Sequence, residues 1–192
     1  MVDLSRADFI GKGSSRVCFV HPEDHNKCIK IAYSGNLRVV SEEMKYYRRY
    51  LRRGVSWDML ARTYGFVDTS LGRGVVFSLA HDFDGEISKS LDFYLRGENG
   101  HFSKDDLGLA LMEFKAYLFN QRILVRELKP DNLVYQRLSS GRGRIILVDG
   151  IGNNELLPVA NYLTIFARRT LSRKWRKFEQ RLREMFESCN DT

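Results

Sequence analysis

Apolar positions along this chain are spaced in two ways, and the spacing changes near residue 80. Before it they come in short runs: Phe9-Ile10, Val17–Val20, Cys28–Ala32, Thr63–Asp68 and Gly74–Leu79. Short β-branched or alternating runs bounded by turn formers predict strands. The separators fit that reading, with Gly11-Lys12-Gly13-Ser14-Ser15 after the first run and His21–Asn26 before the third. Leu71-Gly72-Arg73-Gly74 turns the last pair. One helix interrupts the strands at about 39–53, with Ser41 as a candidate cap and Met44, Tyr47, Tyr50 and Leu51 near one face. The first eighty residues therefore predict five strands with one inserted helix.

Beyond residue 80 the period becomes helical. Ala80-His81-Asp82 reads as a hinge and Phe83-Asp84-Gly85 as a turn. Helices are expected at about 88–96 and 103–122. The second opens on Ser103-Lys104-Asp105-Asp106, a capping-box-like start with Asp in place of Glu. Leu107, Ala110, Leu111, Phe114, Tyr117 and Leu118 form its apolar stripe. Residues 155–188 also read as mainly helical, with Leu171, Trp175, Phe178, Leu182 and Met185 spaced by four and three. Eight cations flank that stripe: Arg168, Arg169, Arg173, Lys174, Arg176, Lys177, Arg181 and Arg183. One reading packs the stripe inside the protein. The other makes residues 168–183 an interfacial helix on an anionic membrane surface.

Composition narrows the class. At 192 residues, 43% hydrophobic and 29% charged, the chain is expected to be a soluble globular protein of one domain or one two-lobed unit. No run is long and apolar enough to span a bilayer, and the first residues lack a signal-peptide core. Three cysteines leave at least one unpaired, which suits a reduced cytoplasmic setting. A net charge of +7 predicts an anionic partner such as nucleotide, phospholipid, acidic glycan or nucleic acid. Nucleic acid is not favoured, because no aromatic platform or recognised module accompanies the charge. His21 and His25 are four apart, but in a turn without a clear third ligand, so no metal other than magnesium is expected.

Two stretches carry candidate chemistry. Residues 123–134 place Glu127, Lys129, Asp131 and Asn132 around a helix-breaking Pro130, and 145–152 end an apolar run on Asp149-Gly150. Phosphoryl transfer from ATP needs a cation near the moving phosphate and an Asn plus an Asp for magnesium. These stretches supply one of each. Read alone, Lys-Pro-Asp-Asn also serves as an ordinary turn between strands. Nearer the N-terminus, Gly11 and Gly13 permit a tight hairpin whose amides could lie over phosphates. Lys30 lies between small apolar residues, either facing inward toward a partner or outward to solvent. Glu43 on the following helix, with Glu42 as runner-up, is placed to be that partner; both also read as charges near a helix start.

In this order the residues resemble the protein-kinase pattern, an H-R-D-L-x-x-x-N loop followed by D-F-G. Arg126, Leu128 and Asn132 keep it. Val125, Glu127 and Gly150 depart from it, and the third glycine of the kinase loop is missing near Arg16. No Ala-Pro-Glu follows, and 43 residues after Asp149 leave no room for a peptide-docking lobe (192 − 149). With these pieces the chain resembles the YrbL family of PhoP regulatory network proteins, a divergent branch of the kinase-like fold. The resemblance rests on His-Pro-Glu-Asp and Cys-Ile-Lys-Ile within 21–31, Asp-Phe-Asp-Gly at 82–85 and Leu-Lys-Pro-Asp-Asn at 128–132. Asp-Gly-Ile-Gly and Leu-Leu-Pro within 149–158 complete it.

The resemblance implies an α+β, kinase-like, two-lobed fold, with an N-lobe at 1–80 and a reduced, mostly helical C-lobe at 81–192. It implies an ATP and Mg2+ site using Lys30, Glu43, Asn132, Asp149 and Lys129, with Glu127 as base. Acceptors in view are small-molecule, sugar or lipid-linked glycan hydroxyls. The implied location is cytoplasmic, or peripheral at the inner membrane face. Degeneracy at the base position keeps a catalytically inactive, pseudokinase-type regulatory or scaffold role open.

Overall fold

The structure, a computed structural model, describes residues 1–13, 15–33, 37–96, 104–153 and 164–190. The chain is α+β and divides into two compact units, Met1–Arg53 with Ala61–His81, and Gly54–Leu60 with Asp82–Thr192.

The first unit is built on a five-stranded antiparallel sheet of order β1-β2-β3-β5-β4. Its strands are β1 (Phe9–Lys12), β2 (Arg16–His21), β3 (Asp24–Ala32), β4 (Thr63–Thr69) and β5 (Gly72–Ser78). All five expected strands are present, with tighter turns: Gly11 and Lys12 belong to β1, and β5 begins at Gly72. Strand alternation gives the sheet two different faces. On one, Ile29, Ile31 and Val76 pack with Leu4 from the N-terminal segment. The backbone of Val2 ties that segment to Asp68 and Ser70. On the other face lie Cys18, Cys28, Lys30 and Phe77, by register.

Helix α1 (Leu37–Arg52) covers this second face, with Tyr47 against Phe77 at 5.4 Å between ring centroids. Met44, Tyr47 and Tyr50 are buried as expected. Two details differ from the sequence reading. The helix starts four residues before Ser41, so Ser41 is an interior residue and not its cap. Leu51, in the last turn before the chain leaves the helix, is exposed.

The second unit holds α2 (Leu91–Leu95), α3 (Lys104–Gln121), a two-stranded sheet of β6 (Leu133–Ser139) and β7 (Arg142–Leu147), and α4 (Thr164–Asn190). Helix α2 starts later than its pattern suggested, because the Ser90 side chain accepts from Phe93 N and caps it there. Ser88 instead donates to Asp82, which also takes the Arg137 backbone amide and Nε. The Ser103 capping box and Leu156-Leu157-Pro158 lie outside the described residues.

Residues 54–60 join this unit through the bond from Leu147 N to Met59 O and from the Tyr117 hydroxyl to Ser56 O. Helices α3 and α4 meet through Phe114 and Trp175, 6.2 Å apart between centroids, and through Lys115 and Glu179. The α4 stripe of Leu171, Trp175, Phe178 and Leu182 is buried, so its packing reading describes the unit. Seven of the eight cations are left exposed, while Lys174 is half-buried. Among the described residues no helix is long and apolar enough to cross a membrane.

Candidate functional site

The loop that carries Glu127 follows α3, whose end turns sharply at Arg122 with φ of 49°. Ile123, Leu124 and Val125 then enter the core. This buried run suits Val125, which bridges to Ile151 in an apolar setting that an aliphatic side chain fills. Two backbone bonds extend the pairing, from Arg126 N to Gly150 O at 2.6 Å and from Gly152 N to Leu124 O at 3.1 Å. The loop and the Asp149-Gly150 turn are thus laced together before any side chain is considered.

Pro130, Asp131 and Asn132 form one 3-10 turn, with Pro at its start, where a missing N–H costs nothing. The Asn132 carbonyl accepts from Val148 N at 3.0 Å and from Asp149 N at 3.4 Å. Asn132 and Asp149 therefore stand on adjoining backbones. The Asn132 Nδ2 donates to Glu127 O at 3.1 Å, which fixes which way round the amide sits and puts Oδ1 on the opposite side. The Asp149 Oδ1 accepts from Gly150 N at 2.6 Å.

Gly150 is demanded by this arrangement. Its φ is +79°, and a Cβ there would come within 2.7 Å of both Asn132 Nδ2 and Glu127 O. A Phe at this position, as in the kinase turn, has no space.

Charged side chains cluster around the loop. Lys129 Nζ lies 3.2 Å from Asp131 Oδ2 and 3.9 Å from Glu127 Oε2. Helix α4 adds two cations that local spacing does not place here. Lys174 Nζ donates to Arg126 O at 2.5 Å, and Arg181 NH1 stands 3.9 Å from Glu127 Oε1. The loop motif reads locally, whereas these contacts span 48 and 54 residues (174 − 126 and 181 − 127). Nothing short of the fold announces them.

Lys30, Glu43, Gly11 and Gly13 belong to the first unit. Lys30 is half-buried, opposite Cys18 and Val75, with Nζ 5.1 Å from the Phe77 ring centroid. Glu43 is 3% exposed and pairs with Arg16 at 2.5 Å. Local spacing does not announce this pairing. Beside Lys30, the Cys18 thiol is held up by its hydrogen bond with Cys28 and by burial, while the same bond draws Cys28 down. Gly11 and Gly13 have no positive φ, and a Cβ on either would meet nothing closer than 3.9 Å. The protein itself does not require glycine at these two places.

The donor set fits a hard divalent cation. An amide oxygen and a carboxylate on neighbouring backbones, with half-buried side chains, are the ligand types magnesium takes alongside water and phosphate.

The family model described as PhoP regulatory network protein YrbL matches residues 2–183. The protein named "Uncharacterized protein YrbL" in Escherichia coli (strain K12) is 34% identical over 183 residues, covering 93% of this chain and 86% of its own length. The protein of the same name in Shigella flexneri matches with the same identity and coverage.

Proposed function

The chain belongs to the YrbL family of PhoP regulatory network proteins, and we propose that it is a kinase-like phosphotransferase. It binds ATP with magnesium and acts on a hydroxyl of a small molecule, sugar or lipid-linked glycan. The observation that carries this reading is the Asn132–Asp149 tie, in which one carbonyl holds two successive amides and puts the two residues on adjoining backbones.

Bound magnesium would neutralise charge on the phosphates and orient them. Asn132 Oδ1 and the Asp149 carboxylate are the groups to hold it. Lys129 supplies a cation for charge developing on the transferred phosphoryl group. In the kinase pattern a strand lysine and a glycine hairpin meet the phosphates, and Lys30, Gly11 and Gly13 are the residues of the first unit that match those roles. Glycine that the fold itself does not require is what close approach by a ligand would select. Glu127 orients the acceptor hydroxyl and takes its proton as oxygen bonds to the γ-phosphorus, the bond to the β–γ bridging oxygen breaks and ADP leaves.

A second reading is an inactive nucleotide-binding scaffold, and Glu127 in place of Asp favours it. The longer side chain displaces the carboxylate by about a bond length, and misplacement by ~1 Å can cost on the order of a hundredfold. Turnover of ATP separates the two readings. The enzyme reading expects loss in Glu127→Ala and retention in Asp131→Ala. Equal behaviour of both variants contradicts it. Any membrane contact would use the outward cations of α4, because its apolar stripe is buried.

A further inference from the structure

We infer that the acceptor is itself anionic, carrying a phosphate or carboxylate near the reacting hydroxyl that Arg181 receives. This rests on the phosphotransfer reading and names the substrate class of the same site.

Helix α4 lies against the loop that carries Glu127. Lys174 anchors the helix to the loop through Arg126 O. Arg181 lies seven residues, or two turns, further along the same side, with Lys177 between them by helical spacing. A cationic strip therefore runs beside the loop that carries Glu127. Arg181 and Lys129 flank the Glu127 carboxylate, each at 3.9 Å. That distance lies beyond a normal N–H···O bond of about 2.7–3.2 Å. The Arg181 side chain is 46% exposed and that of Glu127 56%, so this loose pair adds little to stability.

Lys129 has a use in the nucleotide chemistry; Arg181 has none there. What its position offers is a guanidinium fork beside the hydroxyl-orienting carboxylate, and such a fork matches phosphate or carboxylate oxygens two at a time. A neutral polyol would offer it only hydroxyl oxygens, which bind a guanidinium more weakly than an anion does. An anionic one would be oriented by Arg181 and reach Glu127 with its hydroxyl. The same chemistry is available from a soluble sugar phosphate or from a phosphorylated lipid headgroup.

The test is calorimetric titration of the full chain with glucose 6-phosphate against glucose. A second arm uses vesicles of phosphatidylglycerol against phosphatidylcholine. Both are repeated in Arg181→Gln and Arg181→Lys. The expected result is anion-selective binding in one arm, weakened about tenfold by Arg181→Gln and less by Arg181→Lys. The arm that responds identifies the source. Equal affinity in wild type and Arg181→Gln, or equal binding of glucose and glucose 6-phosphate with no response to vesicles, overturns the inference.

Thermal stabilisation by magnesium-ATP is measured alongside and should survive Arg181→Gln. Arg181-dependent anion binding without any magnesium-ATP response would overturn the phosphotransfer reading. An intact magnesium-ATP response without Arg181-dependent anion binding would overturn this inference alone.

Discussion

Lys174 Nζ donates to the carbonyl oxygen of Arg126 at 2.5 Å, which ties the last helix to the segment that presents Glu127. The bond crosses 48 residues of sequence (174 − 126). It makes α4 a support of the loop and not an appendage. Lys174→Met keeps most of the aliphatic stem and removes the donor. The expected cost is about 1 kcal/mol in urea denaturation, with faster hydrogen exchange at the Arg126 and Gly152 amides. Unchanged exchange at both amides would show that the loop is held without α4.

Gly150→Ala should cost at least about 1 kcal/mol from its left-handed backbone alone, with the Cβ overlap added to that. Gly11→Ala has open space and should change stability by less than about 0.5 kcal/mol. If glycine at position 11 serves a ligand, that quiet variant should nonetheless bind magnesium-ATP more weakly. Denaturation and nucleotide titration of the two variants together separate a structural glycine from a ligand-facing one.

Glu43 presents a different balance. It is buried, and Arg16, its partner at 2.5 Å, is nearly so. Removing one member of such a pair strands the other charge, so Glu43→Ala should cost on the order of 3 kcal/mol by urea denaturation. A cost under about 1 kcal/mol would mean that Arg16 readily turns to solvent.

The strands were legible because alternation over four to six residues leaves few other solutions, and turn formers marked their ends. Lys30 could be placed on the Cys28 side of β3 for the same reason. Ser41 misled because the residues before it, Leu37–Val40, also suit a helix, so a polar residue inside the pattern looked like its beginning. The β6–β7 hairpin went unnamed although Ser139-Ser140-Gly141 sits at its turn, because its strands are broken by Gln136, Arg137, Arg142 and Arg144. Arg16–Glu43 and Arg181–Glu127 were beyond reach. Each depends on which faces of distant elements meet, and local spacing carries no record of that.

Acid should weaken the α3–α4 contact in a defined way. Burial pushes Glu179 up, but the Trp175 indole N–H at 2.5 Å and the Lys115 ammonium at 3.2 Å outweigh it and leave the carboxyl below its ordinary 4.5. A folded-state value below the unfolded one stabilises above pH 4.5, and the contribution is lost as pH falls through the folded value. Glu179→Gln should therefore lower Tm by about 1–2 °C at neutral pH and converge with wild type once the pH has fallen below the folded value. A deficit that stays constant down to that pH would contradict the assignment.

The central claim is that Asn132 and Asp149 hold a magnesium-nucleotide. Its most direct measurement is the thermal shift of wild type and Asp149→Ala with ATP, with and without magnesium. Wild type should rise in Tm by about 5–11 °C at ATP a hundredfold above Kd, and only with magnesium present. Asp149→Ala should fold and show no magnesium-dependent rise. A wild-type protein indifferent to magnesium-ATP at millimolar concentration, or an Asp149→Ala variant that responds equally, would contradict the account.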